Sequence, residues 1–191
     1  MKHRTFIALF PPPGIRQKLT EIQVHLQSIF REQKRGTIRW EKNEKFHFTM
    51  QFLGEQDDAT IHHLANDITV RCASIEQFTI VIDTLSCFPG PFSPKILWIG
   101  SNPPRNRLLM ELSSTIYEMT SKRGIAREGS LFLPHITIAR NKGNIPPSLI
   151  KKFETVTFEP IEFLCGDVHI MKSNLASTGS TYTTLFTIPL K

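Results

Sequence analysis

Hydrophobic and polar positions alternate in short runs, broken by stretches where apolar residues recur at helical steps. Residues 5–10 form a short apolar run of strand type, stopped by Pro11-Pro12-Pro13. Those prolines can also open a helix, because the first turn does not need their missing N–H groups. Ile15, Leu19, Ile22, Leu26 and Ile29 then recur at steps of four and three, which is one helical face. Arg35-Gly36 is expected to end that helix, with a short strand at 37–40. Residues 46–53 alternate up to Gly54 and predict a strand. Asp57 or Asp58 is a natural N-cap for a second helix, whose apolar face is Ile61, Leu64, Ala65, Ile68 and Cys72.

Strand 78–82 follows, and the turn-rich segment 87–94 predicts a boundary between lobes at 1–88 and 95–191. After it the order restarts. A strand is expected at 95–100, and Asn102-Pro103 reads as an N-cap and first helical residue. Leu108, Leu112, Ile116 and Met119 give the face of this helix, which stops at Gly124. Residues 134–140 predict a strand and 147–152 a short helix. Three strand-like runs, 155–158, 162–171 and 182–188, close the chain. Hairpin-like connections favour an α+β protein with mixed or antiparallel sheets over a doubly wound parallel one.

Length and composition fit an ordinary globular domain: 40% hydrophobic and 21% charged residues exclude wholesale disorder. Lys plus Arg is 23 against 17 Asp plus Glu, a net charge of +6 that suits an anionic ligand without requiring one. Three scattered cysteines, Cys72, Cys87 and Cys165, predict buried thiols rather than a disulfide framework. No signal peptide or membrane-length apolar run is evident, so the expectation is a cytoplasmic protein without a membrane partner.

The seven histidines divide into groups. His25, His62 and His63 fall outside the helical stripes and predict solvated side chains. His47 and His135 lie in apolar strand-like runs, each followed two positions later by a threonine. Residues i and i+2 share a strand face, so His47 sides with Thr49, and His135 with Thr137. About 40 positions separate Ile7 from His47, and about 38 separate Leu97 from His135, as in an internal duplication. Each half thus presents an imidazole beside a hydroxyl.

Two imidazoles on opposite sides of a phosphorus can run in-line displacement at a phosphodiester. One takes a proton from the attacking oxygen and the other gives one to the leaving oxygen. We assign the acid to His47 and the base to His135. Thr49 and Thr137 can hydrogen-bond the non-bridging oxygens, and Arg140 can add a charge-assisted contact. A zinc site of His47, His135 and His169 is the weaker alternative, since threonines at fixed offset are not zinc ligands. Two buried, satisfied core histidines are the bland one. Short basic clusters, Lys34-Arg35, Arg39 with Trp40, and Lys122-Arg123 with Arg127, suit surface solvation. Arg39 and Trp40 can instead line the cleft, with Trp40 stacking a base.

The residues resemble the 2H phosphoesterase superfamily, named for two His-x-Thr/Ser motifs. Within it they look most like the LigT-like RNA 2′,3′-cyclic phosphodiesterases, first described as 2′-5′ RNA ligases. The matching pieces are residues 4–9, Trp40 through His47-Phe48-Thr49 to Glu55, 95–100, and Phe132 through Pro134-His135-Ile136-Thr137 to Arg140. The resemblance implies a bilobal α+β fold: two pseudo-symmetric sheets with flanking helices around a central cleft, strands exchanged between lobes. It implies cofactor-free and metal-free opening of a 2′,3′-cyclic phosphate to a 2′-phosphate, with reversible 2′-5′ ligation. By motif match, His47 and His135 are catalytic, and Thr49, Thr137 and Arg140 bind phosphate. Gln51 departs from the family, where Arg is frequent. The expected ligands are RNA ends or 2′,3′-cyclic nucleotides, handled by a monomer. The competing readings are another small cyclic phosphate or 2′-5′ oligonucleotide as substrate, and a non-catalytic RNA-end-binding protein.

Overall fold

The computed structural model describes residues 1–34, 36–125, 132–176 and 179–191. The chain runs β1 (Lys2–Leu9), α1 (Pro13–Ile29), β2 (Ile38–Trp40), a 3-10 turn (Asn43–Lys45), β3 (Phe48–Asp57), α2 (Asp58–Cys72), β4 (Phe78–Ile82) and β5 (Thr84–Phe88). It continues through β6 (Ile96–Gly100), a 3-10 turn (Pro103–Asn106), α3 (Arg107–Lys122), β7 (His135–Asn141), α4 (Pro147–Glu154), β8 (Ile161–Cys165), β9 (Asp167–Ala176) and β10 (Gly179–Pro189).

Every strand pairing among the described residues is antiparallel, so the mixed option is not taken. The main sheet has the order β10-β9-β1-β3-β7-β6-β5, with β2 also paired to β7; β4 and β8 form a separate ribbon. The C-terminal strands thus sit beside β1, while β2, from early in the chain, sits beside β7. The sheet has a narrow waist: β3 meets β7 through the single pair Phe48↔Ile136. Each is the residue between the His and the Thr of its motif. Antiparallel sense around that pair carries His47 toward Thr137 and His135 toward Thr49.

A large apolar core forms one cluster, and Phe6, Ala8 and Met171, with Phe10 and Tyr182 packed against them, form a smaller second one. Phe46 and Phe48, on either side of His47, are fully buried and hold the approach to β3. Truncating either to Ala would cost about 3–5 kcal/mol. The five residues named for α2 are all buried, and Asp57 is its N-cap, accepting from Thr60 N–H at 2.8 Å. None of the described helices is long and apolar enough to cross a membrane. All three cysteines are free and buried, and burial raises each thiol's pKa.

The differences from the pattern-based expectation have identifiable causes. Gly54 does not end β3. It sits at φ 70° where the β1–β3 register slips, so it makes a bulge and pairing continues to Asp57. Strand β5 occupies part of the expected turn segment, and its alternating burial was legible in Thr84-Leu85-Ser86-Cys87-Phe88. Helix α1 ends at Ile29, short of Gly36; Arg35 lies outside the described residues. Asn102 makes no side-chain cap; Asn106 instead bonds both the N–H and the carbonyl of Val81. Helix α3 starts after the 3-10 turn and buries Leu109, Leu112, Ser113, Ile116 and Thr120, leaving Leu108 exposed. Residues 155–158 are not a strand, and Gly166 splits 162–171 between β8 and β9, which join different sheets.

Candidate active site

The two His-x-Thr motifs open onto one cleft of about 830 Å³, lined among others by His47, Thr49, His135, Thr137 and Arg140. All five residues singled out in the sequence are therefore brought together. His47 is not inside a strand as its setting suggested. It lies one residue before β3, just past the 3-10 turn that carries Lys45. His135 is the first residue of β7.

The two imidazoles are held the same way. His47 Nδ1 lies 2.6 Å from the Lys45 carbonyl oxygen, and His135 Nδ1 lies 2.8 Å from that of Leu133. A carbonyl only accepts, so Nδ1–H donates in both, and the neutral ring keeps its lone pair on Nε2. Each half thus uses the carbonyl two residues upstream to fix the tautomer. Around His135 the chain is also tight: a Cβ on Gly100, its register partner, would run into the Pro134 carbonyl oxygen.

The surroundings of the rings differ. His47 is ringed by Phe6 at 5.2 Å, Phe10 at 5.5 Å and Tyr182 at 5.4 Å between ring centres. His135 meets Phe88 edge-on at 4.9 Å and Trp98 at 6.1 Å. Burial among these rings lowers the His47 pKa to about 4, opposed by the Lys45 bond and deepened by His135 and Arg140. Burial lowers His135 as well, with the Leu133 bond opposing and Arg140 adding to the fall. Both are therefore neutral bases at neutral pH.

Arg140 lies in the cleft with its Nε donating to Glu41 Oε1 at 2.9 Å. Gln51 is 4% exposed and lines the cleft on the His47–Thr49 face. Arg39 lines it too, but its neighbour Trp40 does not. Strand alternation turns Trp40 to the opposite face, against Phe30 at 6.0 Å. Arg123 is paired with Asp67, and Arg127 lies outside the described residues. His25, His62 and His63 are exposed, as expected.

His169 does not join the other two histidines. The Phe10 ring stands between it and His47, 5.2 Å from His169, whose Nδ1 faces Thr187 Oγ1 at 3.2 Å. No group of three or more His, Cys, Asp or Glu among the described residues is arranged to hold a metal ion.

A profile for LigT-like phosphoesterases matches residues 9–98. An RNA 2′,3′-cyclic phosphodiesterase of Thermotoga maritima is 32% identical over 185 residues, 96% of this chain and 93% of that protein. The chain belongs to the LigT-like 2H phosphoesterases. A second relative of the same name, from Aquifex aeolicus, is 30% identical over 76% of this chain and 78% of its own. The LigT-like fold is also seen in solved structures. E. coli LigT, in complex with 3′-AMP, superposes with a TM-score of 0.74 at 20% identity, covering 100% of this chain and 99% of that one. A Thermus thermophilus protein gives 0.73 at 23% identity, covering 98% and 97%.

Sequence reasoning missed several residues that line this LigT-like cleft or pack behind it. Glu41 belongs to no motif in the sequence. Phe6 and Phe88 were assigned to strands or turns, without a place beside the histidines. Phe10 closed an apolar run, and only the fold lays it between His47 and His169. Gln23 was hidden in a helical stripe read by its apolar members, yet it is 5% exposed.

Proposed function

We propose that this protein hydrolyses 2′,3′-cyclic phosphates at RNA ends to 2′-phosphates, using His47 and His135 without a metal. The observation that carries it is the paired geometry: two neutral imidazoles, each with Nδ1 held by a carbonyl, turned to one cleft with Thr49, Thr137 and Arg140. The named activity of relatives 32% identical over 96% of this chain and 30% identical over 76% of it supports the same chemistry. The cleft volume of about 830 Å³, high in the range for small-ligand sites, suits a terminal nucleotide with chain attached.

In the reaction, water attacks phosphorus opposite O3′. Nε2 of the base takes the water proton as the P–O bond forms. Nε2–H of the acid gives its proton to O3′ as the P–O3′ bond breaks, leaving the phosphate on O2′. Thr49 and Thr137 hydroxyls and the Arg140 guanidinium hold the non-bridging oxygens while charge grows on them. Since burial favours the neutral form of both rings, the acid gains its proton with the substrate, whose negative charge raises imidazole proton affinity. Hydrogen bonding is alike at the two rings, so the order of acid and base is set by where O3′ lies. We place O3′ beside His47. A substrate with sulfur at the 3′ bridging position leaves without protonation, so it should rescue His47→Ala and not His135→Ala. Rescue of His135→Ala instead would reverse the order. With a 5′-hydroxyl in place of water, the same two transfers in the same direction give 2′-5′ ligation, and their reversal returns the cyclic phosphate.

The test of the function is hydrolysis of 2′,3′-cyclic AMP and of a cyclic-phosphate-ended RNA in EDTA, with the product isomer identified. EDTA-resistant formation of the 2′-phosphate, faster on the RNA, is the expected result. No turnover by folded protein would return the site to another phosphodiester or to binding alone.

A further inference from the structure

Glu41 is a carboxylate on the wall of a site for anions, where its charge opposes phosphate binding. Its side chain is only 10% exposed. It accepts from Arg140 Nε at 2.9 Å and from Arg39 Nη2 at 3.5 Å. Those two arginines are register partners across β2 and β7, so like charges stand opposite each other. Glu41 is the counter-charge that lets both occupy this edge.

The backbone of Glu41 is fixed as firmly as its side chain. Its N–H donates to the Ile138 carbonyl at 2.9 Å. Gln23, reaching from α1, donates Nε2 to the Glu41 carbonyl at 2.8 Å and to the Ile138 carbonyl at 2.9 Å. Helix α1, the segment after β2 and strand β7 are thereby tied at one point beside Thr137. Engaging Nε of Arg140 leaves the terminal nitrogens of its fork for an anion.

Resting on the phosphodiesterase reading, we propose that Glu41 is a positioning and specificity residue. It aims Arg140, and it holds the arginine pair at a net single positive charge. A clamp of that charge matches the cyclic phosphodiester, a monoanion. It holds less strongly the phosphomonoester dianion that hydrolysis leaves, and so favours product release.

The test compares two unreactive ligands that differ by one methyl group and one charge: a 2′-deoxynucleoside 3′-monophosphate and its methyl ester, titrated calorimetrically at pH 8, where the monoester is a dianion. Glu41→Gln keeps an acceptor for Arg140 but removes the charge. It should tighten the monophosphate about tenfold more than the methyl ester, the scale of one added charge interaction in a partly solvated cleft. Arg39→Gln, which lowers the clamp charge, should weaken the monophosphate more than the ester. This opposite sign keeps the test alive should Glu41→Gln not fold. Glu41→Ala, lacking the acceptor, should lose kcat on the cyclic substrate about tenfold, and Glu41→Gln should recover most of it. Equal shifts for both ligands in both variants would reduce Glu41 to a structural tie and overturn the proposal. Absence of cyclic-phosphate turnover with the charge-dependent ratio intact would instead overturn the phosphodiesterase reading and leave the clamp standing.

Discussion

The half of the cleft around His47 and the half around His135 share one device and differ in everything packed on it. The device is local. A carbonyl two residues upstream holds Nδ1, and a threonine two residues downstream shares the cleft face. What differs comes from afar: Phe6 and Phe10 from the N-terminal segment and Tyr182 from β10 enclose His47, while Phe88 and Trp98 flank His135. The same motif is therefore placed in two solvation environments. A short motif specifies which nitrogen is offered to the substrate, whereas packing sets how readily that nitrogen takes a proton.

The largest effect should come from removing either imidazole. His47→Ala and His135→Ala should each lower kcat by about 10³-fold or more. The double variant should lose little beyond the worse single one, because the two act on one transition state. Additive losses measured in single-turnover assays would break the idea of a joint proton transfer.

Next in size is Arg140→Ala, expected to cost about 10²-fold in kcat/KM by removing a preorganised cation from developing charge. Gly100→Ala should strike only the His135 half. The added methyl forces β6 away from Pro134, and a small displacement of His135 is enough for about 10²-fold in kcat. A crystal structure of this variant with His47 unmoved and His135 shifted would sharpen the comparison; an unshifted His135 with full activity would end it.

A smaller effect is expected in pH dependence. Since kcat/KM reports the free protein and both histidines lie below their ordinary value, its bell should peak below pH 6.5, with the acid limb near 4. A profile flat from about pH 5 to 8 with chemistry rate-limiting would count against the pair. Stability should follow the same asymmetry. Folding lowers the His47 pKa from 6.5 to about 4, so the unfolded chain takes up a proton that the folded one refuses as pH falls through that window. Stability is full above pH 6.5 and is lost toward pH 4. The loss is on the order of 2 kcal/mol, discounted for the partial exposure of His47. Denaturant titrations of wild type and His47→Gln should diverge by that amount between pH 7 and 4.

The smallest change tests the cause. Phe10→Ser opens one side of the His47 cage and should raise the His47 pKa toward 6.5 while leaving that of His135 in place, read by NMR titration of the two rings. Equal movement of both would show that the cage is shared.

Much of this site was legible in the chain because its functional pairs are neighbours in sequence. His47 with Thr49, and His135 with Thr137, need only local extended backbone to face one way. Helix α2 was legible for the same reason, as its five buried residues follow from 3.6-residue periodicity alone. Where reading failed, a distant partner decided. The β3 bulge at Gly54 answers to the register with β1, and the split at Gly166 answers to two different sheets. The alternative reading of Trp40 as a cleft residue rested on proximity to His47, yet its packing against Phe30 turned it away.

By itself the sequence determined the two His-x-Thr units, the helix and strand order around them, and the family to which they point. Those features rest on backbone periodicity and on residues within a few positions of each other. Only the tertiary structure decided that Phe48 and Ile136 form the waist of one sheet, so that the two units share a cleft. It also decided that Glu41 counters Arg39 and Arg140, and that Phe10 divides His47 from His169. Solvation and charge at a point depend on everything within a few ångströms of it, and the chain brings those groups there from segments far apart in sequence.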